Sequence, residues 1–501
     1  RALYHQLARL LAQFVSRHAL AAFASAPSDM NALFSESPSQ QYQGTIHFDA
    51  PQKRTLSATS SRQPIRMNAD IKTLSQALSL PNGATLPNRM AKAAMTEGLA
   101  DPRGYPSAAL ERLYTQWGNS GCGLLITGNV LVDRHHLERP GNVVIDREPD
   151  ADMRAALARW ATAAKAGGAK IWMQISHAGR QTSAIVNPTP KAPSAIPLAL
   201  PGKQFGAPVA MTEADIQETI QRFAQAAHAA QMAGFDGVQI HAAHGYLLSA
   251  FLNPRANQRD DRWGGSLENR ARLLLDVLKA VREKTGPTFT IAVKLNSADF
   301  QKGGFSFSDS TTVAQWLSEG GIDLIEISGG NYEQPRMMDM DGMEKPDTSA
   351  LPASTAAREA YFVDFARQMQ HRVKVPLMVT GGFRSVTAMA SAVSSAGVAL
   401  IGLGRPLCVY THSVRRLLAG EQQALDRWET QLQLGPGWLG QHSPIGLIKM
   451  LNGFGATYWY YQQFRLMGRG EAPDLKLGVL SALLRELKEQ KRWMANARFP
   501  E

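Results

Sequence analysis

The sequence predicts an α/β protein: a (β/α)8 TIM barrel, preceded by a leader without regular structure and followed by a C-terminal helical extension. Three observations carry the prediction. Strand-like apolar runs rich in β-branched residues recur from Asn68 onward, amphipathic helical patterns lie between them, and polar residues collect where the runs end while their bodies stay apolar. Composition agrees. The 501 residues are 44% hydrophobic and 19% charged, which excludes a mainly disordered, collagenous or coiled-coil chain. Two cysteines, Cys122 and Cys408, are too few for a disulfide framework, a multi-cysteine zinc site or a four-thiolate iron–sulfur cluster. The net charge of +11 is spread along the chain, so it speaks for an anionic cofactor rather than for nucleic acid.

Residues 1–66 form the leader. Seven basic side chains stand there against Asp29, Glu36 and Asp49. The apolar stretch Leu7–Ala26 is interrupted by Arg9, Arg17 and His18, so it does not read as a membrane span. Ser/Gln/Pro-rich runs follow without periodicity. Three readings stay open for this segment: dispensable sequence ahead of a start at Met67, a mitochondrial transit peptide, or an ordered arm. The first two set the expected location, cytoplasmic or, with a transit peptide, mitochondrial.

The barrel is expected over residues 67–410. Its strands are Arg89–Met95, Gly123–Val132, Lys170–Ser176, Gly237–Ala243, Thr290–Asn296, Leu324–Gly330, Pro376–Gly382 and Ala399–Arg405. Helical patterns cover Met153–Lys165, Glu213–Ala233, Leu267–Lys284 and Ser354–Gln370, with Thr212 and Ser266 as N-caps. A doubly wound sheet would announce a nucleotide site by GxGxxG after a strand. Gly121-Cys-Gly123 and Gly402-Leu-Gly404 both lack the third glycine.

Barrel enzymes work at the C-terminal ends of their strands. The seventh and eighth runs end in Gly381-Gly382-Phe383-Arg384 and Gly404-Arg405, where glycine lets backbone N–H groups approach a phosphate and arginine adds a charge-assisted fork. The fourth ends in His241-Ala-Ala-His244-Gly-Tyr246. On a helix that spacing could hold a metal. After a strand, and with no cysteine or carboxylate pair beside it, it fits two imidazole donors for a carbonyl oxygen and a phenol proton donor, or else a pair of core histidines. No metal site is expected.

The run from Gly234 through His241-Ala-Ala-His244-Gly-Tyr246 to Phe251-Leu-Asn-Pro, then Arg259–Asp261 and Trp263–Arg270, resembles the Old Yellow Enzyme family of FMN-dependent ene-reductases. Pro87-Asn88-Arg89, Ala93–Thr96 and His177-Ala-Gly-Arg180 fit the same family, and the resemblance spans roughly residues 70–410. It implies FMN as cofactor, NADH or NADPH as reductant and a small enone-type substrate, with neither nucleic acid nor membrane as partner. It implies that Ala93, Ala94, Met95 and Thr96 face the flavin, Asn129 lies beside its ring, Gln174 meets the pyrimidine edge and Lys294 lies at the N1 side. Gly382, Phe383, Gly404 and Arg405 would hold the phosphate, His241 and His244 would grip the substrate oxygen, and Tyr246 would deliver the proton. Some members carry cysteine where this chain has Thr96, and others add an iron–sulfur and dinucleotide module that two cysteines cannot support. Two other readings stay open: an NAD(P)H oxidase using oxygen as main acceptor, and a non-redox phosphate-binding barrel such as an aldolase. Residues 411–501 contain Tyr458-Trp-Tyr-Tyr461 and an amphipathic stretch at Leu483–Trp493, read as helices packing on the barrel or as a homo-oligomer contact.

Overall fold

A computed structural model of the chain describes residues 69–200, 204–335 and 362–500. The leader lies outside the described residues, as does the start of the helix expected at Ser354–Gln370. Eight parallel strands close into a barrel: β1 (Met90–Lys92), β2 (Leu124–Ile126), β3 (Lys170–Ser176), β4 (Gly237–Ala242), β5 (Thr290–Asn296), β6 (Leu324–Ser328), β7 (Leu377–Thr380) and β8 (Val398–Leu403). Each pairs with the next, and β8 pairs back to β1. The alternation is helical: α1 (Ala108–Gly118), α2 (Ala151–Ala164), α3 (Glu213–Met232), α4 (Leu267–Thr285), α5 (Phe307–Glu319), α6 (Val363–Met369) and α7 (Val386–Ser395) wrap the strands. Thr212 closes a full capping box with Asp215, and the Ser266 side chain accepts from Asn269 N–H, so two expected helix starts have their physical cause in place.

The second strand is shorter than its apolar run. After Ile126 the chain breaks at Thr127-Gly128 and resumes as Val130–Leu131, which pairs with Val143–Val144 and the end of β3. Gly128 is the reason. A Cβ there would lie 2.3 Å from Glu97 Oε2 and 2.5 Å from the Met95 carbonyl, so the ends of β1 and β2 approach too closely for any side chain. Glu97 bridges the gap by accepting from Gly128 N–H at 3.0 Å and from the Tyr114 hydroxyl.

Because inward and outward side chains alternate, the barrel interior can be read in layers. Its lower part is apolar: Ala91, Leu124, Trp172, Ala292, Leu324, Met378 and Leu400 form one buried cluster with Leu78, Leu80 and Leu86 of the antiparallel hairpin Leu78–Ser79/Thr85–Leu86 that stoppers the bottom. One step higher along the same strands stand Gln174, Gln239, Lys294 and Glu326, all buried. Apolar burial closes one end of the barrel and leaves the polar end for chemistry.

Beyond the barrel, α8 (Gly446–Gly468) lies against α1, with Phe464 edge-on to Trp117 at 5.4 Å and Arg112 Nε donating to the Gly468 carbonyl at 2.7 Å. The last helix, α9 (Val479–Asn496), crosses toward the C-terminal ends of the strands, where Trp493 Nε1 donates to the Ala100 carbonyl at 2.9 Å. Between them Glu486, fully buried, pairs with Arg139 of the loop after β2 and with Arg465 at 3.1 Å, while Arg139 stacks 3.6 Å over Tyr461.

Burial alone would raise the Glu486 carboxyl, but Arg139 and Arg465 outweigh it and push it down to about 2. The stabilisation is therefore whole above the ordinary glutamate range and is lost as pH falls through that range toward 2. Glu486→Leu, which leaves Arg139 buried without its anion, is expected to cost about 3–5 kcal/mol. Denaturant unfolding measured at neutral and at acid pH checks both, and the variant is expected to lose the acid-dependent part of the parent's profile.

Candidate active site

At the polar end, β4 delivers its histidines directly. His241 is the inward residue after Gln239, and the chain then turns through His244, held at φ 64°, and Gly245 at φ 81°. Two contacts force that turn: His244 N–H donates to Asn296 Oδ1 at 3.1 Å, and Gln181 Nε2 donates to the His244 carbonyl at 3.0 Å. A Cβ on Gly245 would meet Gln181 Oε1 at 2.5 Å, so glycine is required both for the angle and for the space. The result gathers three rings. His241 stands edge-on to His244 with centroids 5.1 Å apart and edge-on to Tyr246 at 4.8 Å.

The proton positions follow from the partners. Ala243 N–H donates to His241 Nδ1 at 3.3 Å, which leaves the ring proton on Nε2. His244 Nε2 meets Ser328 Oγ at 2.7 Å, and the direction of that bond sets the His244 tautomer. Burial, then the charge of Lys294, holds both imidazoles well below the usual histidine range, so they are neutral donors rather than cations. Tyr246 is pushed well above the phenol range by burial and keeps its proton.

Beneath these rings a buried polar chain crosses the barrel. Gln174 Nε2 donates to Gln239 Oε1 at 2.7 Å, Gln239 Nε2 donates to Glu326 Oε2 at 2.7 Å, and Glu326 pairs with Lys294 at 2.9 Å. The last two are register partners on β5 and β6. Gln239 and Glu326 were not among the expected site residues. Their signal was present in the sequence, since each interrupts an apolar strand at an inward position, Val238-Gln239-Ile240 and Ile325-Glu326-Ile327.

The flavin-facing residues inferred from the resemblance sit around the rim of this polar end. Ala93 is buried, Ala94, Met95 and Thr96 are half-buried, and Asn129 Nδ2 reaches Thr96 Oγ1 at 3.4 Å. Across the barrel, Gly381 and Gly382 run at φ 115° and 80°, Phe383 is buried beneath them, and a Cβ on Gly404 would find only Met95, no nearer than 3.6 Å. Arg405, partly exposed, and buried Arg384 both turn toward Glu429 of the extension, Arg405 at 4.0 Å. The features fit a phosphorylated flavin. The Gly404 backbone, where an added Cβ would make only van der Waals contact with Met95, lies beside two arginines for a phosphate, and a lysine lies below for an anionic ring. The Asn129 Oδ1 atom, buried without a partner, adds an acceptor for a ring N–H.

A second cluster needs separate treatment. Asp133, His136 and His177 bring ligand-type atoms within 4.8 Å of one another. The lone pairs facing away are already used: Lys191 N–H donates to His136 Nε2 at 2.8 Å and Gly179 N–H to His177 Nδ1 at 3.1 Å. Both rings therefore turn N–H groups, not lone pairs, toward Asp133, whose carboxylate also takes Arg222 at 2.9 Å. Burial would raise that carboxyl, but the His136 and His177 rings beside it, at 2.9 and 3.8 Å, prevail and hold it far below its ordinary range. The cluster clamps the β2 and β3 loops together and does not offer a metal shell.

Comparison with known proteins bears on this geometry. The family model described as NADH:flavin oxidoreductase / NADH oxidase matches residues 76–423. The chain is 37% identical over 350 residues to the NADH-dependent flavin oxidoreductase iliE of Hypocrea jecorina, covering 66% of this chain and 85% of that protein. It is 30% identical over 342 residues to the NADH oxidase of Thermoanaerobacter brockii, spanning 68% of this chain and half of that protein. Among solved structures, an old yellow enzyme homologue from Zymomonas mobilis superimposes with a TM-score of 0.58 at 25% identity, over 72% of this chain and 97% of the other. Morphinone reductase with tetrahydroNAD shares the fold, with a TM-score of 0.57 at 24% identity over 70% and 91%.

Arg405→Ala is expected to weaken FMN far more than riboflavin, by roughly tenfold to a hundredfold, since a charge-assisted hydrogen bond is worth about 1.5–3 kcal/mol. Flavin fluorescence titration of the apoprotein with each ligand measures this, and equal losses for both would make Arg405 a scaffold residue only.

Proposed function

The chain belongs to the NADH:flavin oxidoreductase / NADH oxidase family, with FMN as its cofactor and NAD(P)H as its reductant, and from that premise we propose that it reduces the activated C=C bond of a small α,β-unsaturated carbonyl compound. The observation that carries this reading is the set of three rings after β4: two neutral imidazoles and a protonated phenol, with centroids within 5.1 Å of His241. Bound FMN would supply the two-electron redox chemistry that links the nicotinamide to the acceptor.

The residues of this chain do the rest. His241 Nε2–H and the His244 ring N–H polarise the carbonyl oxygen, so that electron density moves toward it as the β carbon becomes saturated. Tyr246 gives its proton to the α carbon. Lys294 sets a positive charge beneath the site where negative charge accumulates on reduction, and Glu326 moderates it. The backbone at Ala93–Thr96, the Asn129 and Gln174 amides, and the Gly382, Phe383, Gly404 and Arg405 segment are assigned to holding the cofactor. Gln174 keeps its carbonyl oxygen for that task because its amide N–H is committed to Gln239.

A second reading has one observation in its favour, the similarity to a protein named NADH oxidase: oxygen takes the electrons and alkene reduction is incidental. Steady-state NAD(P)H consumption with and without cyclohexenone, in air and under argon, separates the two. The non-redox barrel is set aside by family membership. Among the described residues no helix is long and apolar enough to cross a membrane.

Tyr246→Phe is expected to leave reduction by NAD(P)H intact and to slow the alkene half-reaction by about 10²–10⁴, the usual cost of a lost general acid. Rapid-mixing spectroscopy of the two half-reactions reads this, and an unchanged alkene rate would remove Tyr246 from the mechanism. His241→Ala and His244→Ala are expected to weaken phenolic ligands instead. Because both imidazoles stay neutral, the parent's affinity for a neutral enone is expected to be flat across the range where free histidine titrates, which difference titrations of the oxidised holoenzyme would measure.

A further inference from the structure

Tyr246 is only 5% exposed. Once it has given up its proton, a buried phenolate remains, and a buried charge without a proton source is expensive. The structure places two further acids in line with it. The Tyr332 hydroxyl, from the loop after β6, is 2.9 Å from the Tyr246 hydroxyl. Glu138, from the loop after β2, puts Oε1 3.4 Å beyond Tyr332. The three residues come from three different strand-end loops, so their alignment is a product of the fold and not of local sequence. Further contacts hold the loops: Gln181 Oε1 accepts from Tyr332 N–H at 3.5 Å while its Nε2 holds His244, and Asn142 Nδ2 reaches Glu138 Oε2 at 3.5 Å.

We propose that Glu138 and Tyr332 form a relay that returns a proton to Tyr246 after each turnover. The proposal rests on the ene-reductase reading above and deepens it. In the alkene half-reaction the β carbon gains a hydride, for which bound FMN would be the source, and the Tyr246 O–H bond breaks as the α carbon gains its proton. Tyr332 then passes its hydroxyl proton to the Tyr246 oxygen and takes one from the Glu138 carboxyl. The negative charge ends on Glu138, the half-buried member, which regains a proton from water. The transfer runs downhill, since a carboxylate holds charge far more readily than a phenolate. Glu138 and Tyr332 are positioning residues in this scheme; neither touches the alkene.

The surroundings suit a carboxyl that spends part of its time protonated. Burial raises Glu138 above the ordinary glutamate range, against Arg139 and the hydrogen bonds from Thr96, Asn142 and Asn129. Arg139 adjoins Glu138 in sequence but turns its guanidinium to Glu486 and the Tyr461 ring. The other titratable groups that feel Glu138 are Tyr246, Tyr332, Tyr458 and Tyr461, all raised by burial and neutral. Among the described residues, Arg139 is the nearby charge that opposes protonation.

The test uses the FMN-loaded full chain and two acceptors. Cyclohexenone needs a proton delivered to carbon, whereas nitrocyclohexene is released as a stable nitronate after hydride transfer alone. Glu138→Gln and Tyr332→Phe are each expected to slow cyclohexenone reduction by up to about a hundredfold, the low end for general acid catalysis. Nitrocyclohexene reduction and the NAD(P)H half-reaction are expected to keep the parent's rates. The parent's cyclohexenone rate is expected to fall as pH rises through the Glu138 ionisation, and Glu138→Gln is expected to abolish that limb. Equal slowing of both acceptors would make the two residues structural and overturn the relay. So would unchanged cyclohexenone rates in both variants when Tyr246→Phe is slow, with the ene-reductase reading left standing. If the unaltered holoenzyme reduces neither acceptor while its flavin accepts electrons from NAD(P)H, that reading itself falls.

Discussion

The buried Lys294–Glu326 pair is the constraint to which the rest of the polar end answers. Two opposite charges placed inside a closed barrel are tolerated only when they are well paired and held by further hydrogen bonds. Gln239 takes the second oxygen of Glu326, Gln174 takes the carbonyl of Gln239, and so four strands are fixed at the same height by one polar chain. Burial, reinforced by the charge of Lys294, keeps His241 and His244 neutral. The apolar layer beneath, sealed by the Leu78–Leu86 hairpin, gives that chain a dry floor.

The division of labour along the sequence is uneven. The segment after Tyr246 carries much of the family resemblance, yet its residues work as scaffold. Asn257 Nδ2 donates to the carbonyls of Phe251 and Trp263, both at 2.8 Å, Arg259 braces Asp261 and the Met211 carbonyl, and Arg270 ties the Leu252 carbonyl to Asp309. These contacts tie down the loop whose first residues are the chemical ones. Recognition of a family by such a segment identifies how the site is supported as much as what it does.

Much of the barrel was legible because its signals are local. The eight strands follow from apolar runs, and the caps at Thr212 and Ser266 follow from residue type. The stretch Gly123–Val132 misled in one respect, since nothing in its own residues shows that Gly128 must make room for Glu97 from the preceding strand end. The relay partners were invisible for the same reason. Glu138 and Tyr332 lie in loops without periodicity, 194 positions apart, and acquire meaning only when barrel closure brings the loops together. The extension also showed its helices in the sequence but not their destination. That Glu486 reaches Arg139 is a tertiary fact between two segments, each of which reads as an ordinary charged surface.

The aromatic ladder of α8 has a consequence for how such a protein diversifies. Phe454, Tyr458, Tyr461 and Phe464 follow one another along one helix, with successive centroids 5.9–6.3 Å apart, and Tyr461 is close enough to Glu138, Tyr246 and Tyr332 to shift their electrostatics. This wall belongs to an appendage and not to any barrel strand. Exchanging the Tyr461 rung changes the surroundings of Arg139 and Glu138 from outside the barrel. The strand-end loops can thus be tuned from a stretch of chain that supplies none of the barrel strands.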